Sequence, residues 1–304
     1  MPIVITRREE IKAYIRAQKL SKNKIGFVPT MGALHQGHAQ LIKQCVAENE
    51  VSIVSIFVNP IQFGANEDLS KYPRPFQKDC DVCESHGVQV IFAPTVDEMY
   101  PKGFSTQISV PRLSSFMCGQ FRPGHFEGVA TVVMLLLNIM QADSVYFGQK
   151  DFQQVQVIKQ MCFDLACNTK IHMVPTIREE DGLALSSRNI YLSPEARNIA
   201  KTIPQALASG AKLYLSGERS SEKILAAAQQ LLNTKNLTPQ YLELRAAADI
   251  SKQITNTIEE ECVLAISQII SSQEINVRLI DNALLSDDST WVQVLEELIA
   301  CTNS

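Results

Sequence analysis

The sequence predicts an α/β protein: a Rossmann-like, doubly wound parallel sheet followed by a second, smaller α+β domain. Three observations carry this expectation. Short apolar, β-rich runs alternate with helical patterns between residues 25 and 174, the β-α-β-α order of a parallel sheet with helices on both faces. After about Thr176 the alternation gives way to alanine-rich helices and then strand-like runs. The chain of 304 residues has room for two domains of ~150 residues each. With 45% hydrophobic and 20% charged residues it has the composition of a folded domain with a real core.

Ile25–Val28 (IGFV) reads as the first strand of the alternation, and Gly37–Asn49 as the helix after it. Val51–Val58 (VSIVSIFV) is almost continuously apolar, as a strand covered on both faces should be. Phe76–His86 reads as a helix, broken at Gly87, and Val88–Phe92 as a strand. The apolar run Val129–Met140 is far shorter than the ~20 residues of a membrane span and reads as a buried helix. Strands at Ser144–Phe147 and Ile171–Val174 flank a helix at Asp151–Ala166. Beyond the join, helices are expected at Pro194–Leu215, Glu222–Leu232 and Trp291–Ala300, and strands at Tyr241–Leu244, Cys262–Ile270 and Ile275–Ile280. The expected domains are residues 1–176 and 177–304.

Net charge is −4, from 28 basic and 32 acidic residues, so no global field attracts nucleic acid. Up to residue 180 there are 18 basic and 17 acidic residues; the remainder has 10 and 15. Binding of a polyanion must therefore rely on locally placed cations. The opening MPIVITRREE has no apolar signal segment, and eight cysteines read as free thiols of a reducing cytoplasm. Cys80 and Cys83 form a lone CxxC. With no second pair to complete a tetrahedral set, they read as two small residues on one helix face rather than a zinc or redox site.

The segment PTMGALHQGH (29–38) follows the first strand of the alternation and opens a helix. A loop in that position is where open α/β sheets bind ligands, and the helix start offers free N–H groups and a positive dipole end to an anion. His35 and His38 add ring donors, read here as imidazolium charges against phosphoryl oxygens. There is neither a Walker A sequence nor G-x-G-x-x-G. GQKD (148–151) repeats the strand-end geometry, with Lys150 as a second phosphate cation and Asp151 as a helix-start acid or a ribose or metal contact. LSSRN (185–189), near the join, offers Ser186, Ser187 and Arg188 to a pyrophosphate leaving group. The amides Asn59, Gln62 and Gln154 suit a small hydroxylated acid. In RPGHFEG (122–128), Arg122 and His125 read either as a rim of the site or as a turn with a helix cap.

HQGH resembles the H-x-G-H signature of nucleotidyltransferases and class I aminoacyl-tRNA synthetases. Together PTMGALHQGH, SIFVNPIQFG, YPR, RPGHFEGVATVV, YFGQKDFQQ, DGLALSSRN and RLIDN resemble the pantothenate synthetase (pantoate–β-alanine ligase) family, from about Lys24 to Asn282. The resemblance implies an ATP-dependent, magnesium-requiring, homodimeric ligase. It would form pantoyl adenylate and pyrophosphate, then join the acyl group to β-alanine with loss of AMP. It implies an ATP site of Met31, Gly32, Ala33, Leu34, His35, Gln36, Gly37 and His38, with Gly148, Gln149, Lys150, Asp151, Ile177, Leu185, Ser186, Ser187 and Arg188. His38 would be the proton donor, and Gln62 and Gln154 would hold pantoate and β-alanine. The smaller domain is then a candidate lid over a reactive mixed anhydride. LSSR stands where the family usually has MSSR, a volume-conserving change. Leu135 stands where relatives often carry lysine, and an alanine in YLELRAAAD replaces a frequently acidic residue. Other readings of H-x-G-H are a transferase acting on a phosphorylated acceptor, which would call for more basic residues, and a non-catalytic nucleotide sensor.

Overall fold

The computed structural model describes residues 1–64, 67, 69–273 and 275–302. The chain forms two compact units that interleave along the sequence. The first comprises Met1–Ser115, Arg122–Gly148 and Val157–Val174; the second comprises Phe116–Phe121, Gln149–Gln156 and Pro175–Ser304. The two short inserts, 116–121 and 149–156, have no counterpart in the expectation of two consecutive stretches.

The first unit holds the α/β layer that the sequence predicts. Its strands are β1 (Ile3–Ile5), β2 (Ile25–Thr30), β3 (Val51–Ile56), β4 (Val90–Phe92), β5 (Ser144–Gly148) and β6 (Lys170–Val174). They lie in the order β1-β4-β3-β2-β5-β6, and all pairs are parallel. The chain winds one way from β2 to β4 and the other way from β5 to β6. The switch point therefore falls between β2 and β5, and ligand-binding loops of such sheets gather at that place. Helices on both faces explain the continuous apolar strands: Phe27, Val28, Ile53, Val54 and Ile91 are essentially inaccessible.

Besides three one-turn helices (Val96–Met99, Pro111–Ser114 and Cys118–Phe121), the sequence reading missed β1 and the helix Arg8–Leu20. β1 is three residues long, and the helix buries only Ile11 and Ile15 and has no side-chain cap at Arg7. Neither a cap nor a broad apolar stripe marks it in the sequence. The helix expected from Val129 begins earlier, at His125, after Gly124 turns the chain with φ +80°.

The second unit is α+β, with an antiparallel sheet of β7 (Tyr241–Ala246), β8 (Cys262–Ser272) and β9 (Ile275–Leu285). Its core joins Leu264 and Ile266 of β8 and Val277 and Leu279 of β9 to Ala206, Leu207 and Ala211 of a helix. The single helix expected over Pro194–Leu215 is two, Pro194–Ala200 and Thr202–Leu215. Pro204 explains the break, since it has no N–H for the Ala200 carbonyl and its ring crowds that oxygen. Among the described residues no helix is long and apolar enough to cross a membrane.

The switch point has its own anchor. Asp143, just before β5, accepts the Ile25 N–H at the start of β2 (2.7 Å) and pairs with Lys19 at 2.8 Å. Burial pushes its carboxyl up, but hydrogen bonds from Lys19 and Ile25 outweigh that and hold it below the usual aspartate range. The stability it contributes is fully present above about pH 4 and fades as pH falls through the lowered value. Asp143→Ala is expected to lower the unfolding temperature at neutral pH. That deficit should begin to shrink in calorimetric scans below about pH 4 and close once pH falls past the lowered value, where the folded parent is protonated too.

Candidate active site

After β2 ends at Thr30 the chain makes a tight loop and enters the helix Gln36–Glu48. His35 is the N-cap. Its Nδ1 accepts the Gly37 N–H (3.1 Å), while His38 Nδ1 accepts the His35 N–H (3.3 Å). The H-x-x-H spacing thus forms a reciprocal capping box, and the rings sit 4.2 Å apart between centroids. With Nδ1 an acceptor in both, each neutral ring carries its proton on Nε2. The expected pair of imidazolium charges is corrected to a pair of Nε2–H donors, because an imidazolium would carry a proton where each Nδ1 accepts one.

The loop is held from below by Asp79, which the sequence reading missed. Its carboxylate, on the helix Phe76–Ser85 and 1% exposed, accepts the Ala33 N–H (2.9 Å) and the Leu34 N–H (2.7 Å). Both Gly32 (φ +79°) and Ala33 (φ +51°) are left-handed, the second at a steric cost for a residue with a Cβ. Thr30 completes the grip, donating to Ser55 O (2.6 Å) and accepting from Gly32 N–H (3.1 Å). In the sequence Asp79 resembles any acid in a helix's first turn, and nothing links it to a loop more than forty residues away.

Gln62 lies on a short 3-10 turn, Pro60–Gln62, after β3. Its Nε2 donates to Met31 Sδ (3.0 Å), tying it to the H-x-G-H loop. Asn59, expected to face a substrate, is instead spent inside the protein. It donates to Gln62 Oε1 (3.0 Å) and Gly128 O (3.1 Å) and accepts from the Tyr100 hydroxyl (2.7 Å), at 1% exposure. Arg122 and His125 are likewise positioning groups rather than a rim. Arg122 Nη1 donates to His125 Nε2 (2.8 Å), which leaves Nδ1–H to donate to Gln62 O (2.9 Å). Arg122 also grips Glu67 with two bonds of 2.7 and 2.6 Å. Gly128 lets the helix His125–Met140 meet this turn: a Cβ there would lie 2.4 Å from Ile61 O.

In the second unit, Gln149–Asp151 forms a 3-10 turn ahead of the helix Phe152–Asp164. Asn282 of β9 holds it, donating to Gln149 O (3.0 Å) and Lys150 O (2.9 Å). Lys150 Nζ reaches Leu185 O at 3.4 Å. Residues 177–185 form a small hairpin, with Leu185 N–H donating to Ile177 O (3.0 Å) and Arg178 bridging to Ala184. Arg178 forks onto Asp281 of β9 at 2.7 and 3.0 Å. Ser186 caps the next turn by accepting the Arg188 N–H (3.2 Å). Lys150, Ile177 and Leu185–Arg188 are thus assembled by hairpin and sheet. Gln154, half-buried, makes no side-chain hydrogen bond to the described residues. Asp281 and Asn282 were visible only as letters of the RLIDN block; their role needs the sheet.

Among the described residues no cluster of three or more His, Cys, Asp or Glu could hold a metal ion. Cys80 and Cys83 are free, and burial pushes the Cys83 thiol up to about 12.

A helix start with free N–H groups at the switch point of a parallel sheet defines an α/β protein built to hold an anionic ligand there, and its H-x-G-H resembles that of nucleotidyl-transfer enzymes. Comparison with known proteins narrows the class. A model of the pantoate-beta-alanine ligase family matches residues 3–284. The pantothenate synthetase of Carboxydothermus hydrogenoformans is 45% identical over 93% of this chain and 99% of its own. That of Aquifex aeolicus is 42% identical over 93% and 98%. Among solved structures, the pantothenate synthetase of Thermus thermophilus superposes with a TM-score of 0.85 at 38% identity, covering 92% of this chain and 98% of that one. The pantoate-beta-alanine ligase of Francisella tularensis, complexed with beta-gamma ATP and beta-alanine, gives 0.72 at 36% identity, covering 93% and 98%. The chain belongs to the pantoate–β-alanine ligase family.

Two substitutions probe this geometry. Asp79→Asn removes one acceptor and leaves a backbone N–H facing an amide N–H, a loss of about 1–3 kcal/mol that denaturant unfolding will read. Gly128→Ala forces a methyl group onto the Ile61–Gln62 backbone. It should cost about 1–3 kcal/mol, read as a lower midpoint of denaturant unfolding.

Proposed function

We propose that this chain joins pantoate to β-alanine at the expense of ATP, through pantoyl adenylate. The observation that carries the reading is the bond from Gln62 to Met31. It makes the acid-holding amide and the phosphate-facing H-x-G-H loop one connected piece. In the first step a pantoate carboxylate oxygen bonds to the α-phosphorus, and the bond from that phosphorus to the bridging oxygen breaks, releasing pyrophosphate. The Nε2–H groups of His35 and His38, with N–H groups at the helix start, stabilise charge on the α-phosphoryl oxygens. Lys150, Ser186, Ser187 and Arg188 bind the leaving pyrophosphate. Gln62 and Gln154 orient pantoate without adding carboxylate repulsion.

In the second step the amine of β-alanine attacks the acyl carbon, the C–O bond to AMP breaks, and the nitrogen loses a proton. The His38 ring holds its exchangeable proton on Nε2 and is the donor for the departing phosphate oxygen. Magnesium would enter with ATP and supply charge neutralisation at the phosphates; Asp151, half-buried at the end of the 3-10 turn, would be a carboxylate within the same segment to meet it or the ribose. Residues 1–176 carry the ATP and pantoate chemistry, and residues 177–304 add the Leu185–Arg188 cations. The protein would work as a homodimer, as the family resemblance implies, in the reducing cytoplasm that its cysteine usage suits.

ATP–pyrophosphate exchange that requires pantoate and proceeds without β-alanine is the expected result. Exchange driven by a phosphorylated acceptor instead would sink the ligase reading. His38→Ala and Lys150→Ala should each slow this exchange by ~10²-fold or more; a near-parental rate in either would remove that residue's role.

A further inference from the structure

The match to the ligase family ends at Leu284, so the helix Ser289–Thr302 lies beyond it. This helix is firmly seated in the second unit. Leu295 and Leu298, 1% and 2% exposed, join a core cluster that includes Leu183, Leu207 and Leu285. Its start is tied by Ser286 Oγ, which accepts the Asp288 N–H (3.1 Å), and by Asp288, which accepts the Thr290 N–H (3.0 Å).

Its last turn meets the tip of the 177–185 hairpin. Gly182 takes φ +85° there, and an added Cβ would lie 3.0 Å from Thr302 Cγ2 and 3.4 Å from Cys301 O. Gly182 N–H closes the turn onto Glu179 O (2.9 Å), and its carbonyl accepts from Arg178 Nη1 (3.0 Å). The hairpin is therefore held near its base by Arg178 on Asp281, along its turn by Arg197 on Glu179 and Asp181, and at its tip also by the C-terminal helix. A short hairpin has little stability of its own, and weakly packed segments open locally. A contact at the tip raises the fraction of time that the hairpin is closed.

We infer that the C-terminal helix is a brace that sets the 177–185 hairpin, and through it positions Leu185–Arg188 for ATP. The inference rests on the proposed reading of that segment as an ATP contact. If only a fraction of molecules presents the segment correctly, apparent affinity falls by that fraction. Loss of the brace therefore acts on the KM for ATP and spares the turnover of molecules that are already closed.

The test is a chain shortened after Ile299, which keeps Leu295 and Leu298, beside full-length Thr302→Trp, which wedges a large ring against Gly182 should the shortened chain fail to fold. Both are measured by amide hydrogen exchange and by pantoate-dependent ATP–pyrophosphate exchange, with Arg188→Ala as companion. The Leu183 and Leu185 amides are expected to exchange at least ~3-fold faster and the ATP KM to rise ~3-fold or more, with kcat and the pantoate KM within ~2-fold of the parent. Unchanged amide exchange overturns the brace. So does an unchanged ATP KM when Arg188→Ala raises it. An Arg188→Ala enzyme with the parent's ATP KM overturns the ATP assignment of the segment, and the brace loses its function with it.

Discussion

The buried carboxylate of Asp79 beneath the Met31–His38 loop is the interaction on which the rest of the site depends. Two backbone N–H groups of a left-handed turn point inward at Ala33 and Leu34, and only an acceptor from another element satisfies them. Burial pushes the Asp79 carboxyl up, and those two N–H groups work against the rise. With the turn held, the chain enters the helix at His35 in the extended conformation of an N-cap. The rings of His35 and His38 can then cap one another's backbone.

Histidine tautomers in this unit follow from their neighbours. His35 and His38 accept at Nδ1 and keep the proton on Nε2. His125 is the reverse, since Arg122 donates to its Nε2 and its Nδ1–H is used on the Gln62 carbonyl. One residue type thus caps a helix start in one place and struts the Gln62 turn in another. Glu67 completes the strut. Burial pushes its carboxyl up, but Arg122 more than offsets this and holds it below the usual glutamate range.

Much of the fold was legible because it rests on local periodicity. The strands at 25, 51, 144 and 171 announce themselves as apolar runs between helical patterns, and the H-x-x-H spacing carries its own capping logic. What stayed hidden has weak local signatures: β1 and the helix Arg8–Leu20 show a narrow apolar face, and the break near Lys201 turns on a single proline. Asn59 was misread for a related reason. A polar residue after a strand can face a ligand or satisfy buried partners, and only the positions of Tyr100, Gln62 and Gly128 decide which.

The sequence by itself determined the α/β class, the H-x-G-H loop and the family, because each follows from residue types at short, fixed spacings. Only the tertiary structure decided which of those polar groups are spent holding the others in place. Asp79 under the loop, Asn282 behind Lys150 and Thr302 against Gly182 are all pairings across long stretches of chain. Hydrogen bonds and close packing act over a few ångströms of space, and one unaligned sequence does not reveal which distant residues are brought that close.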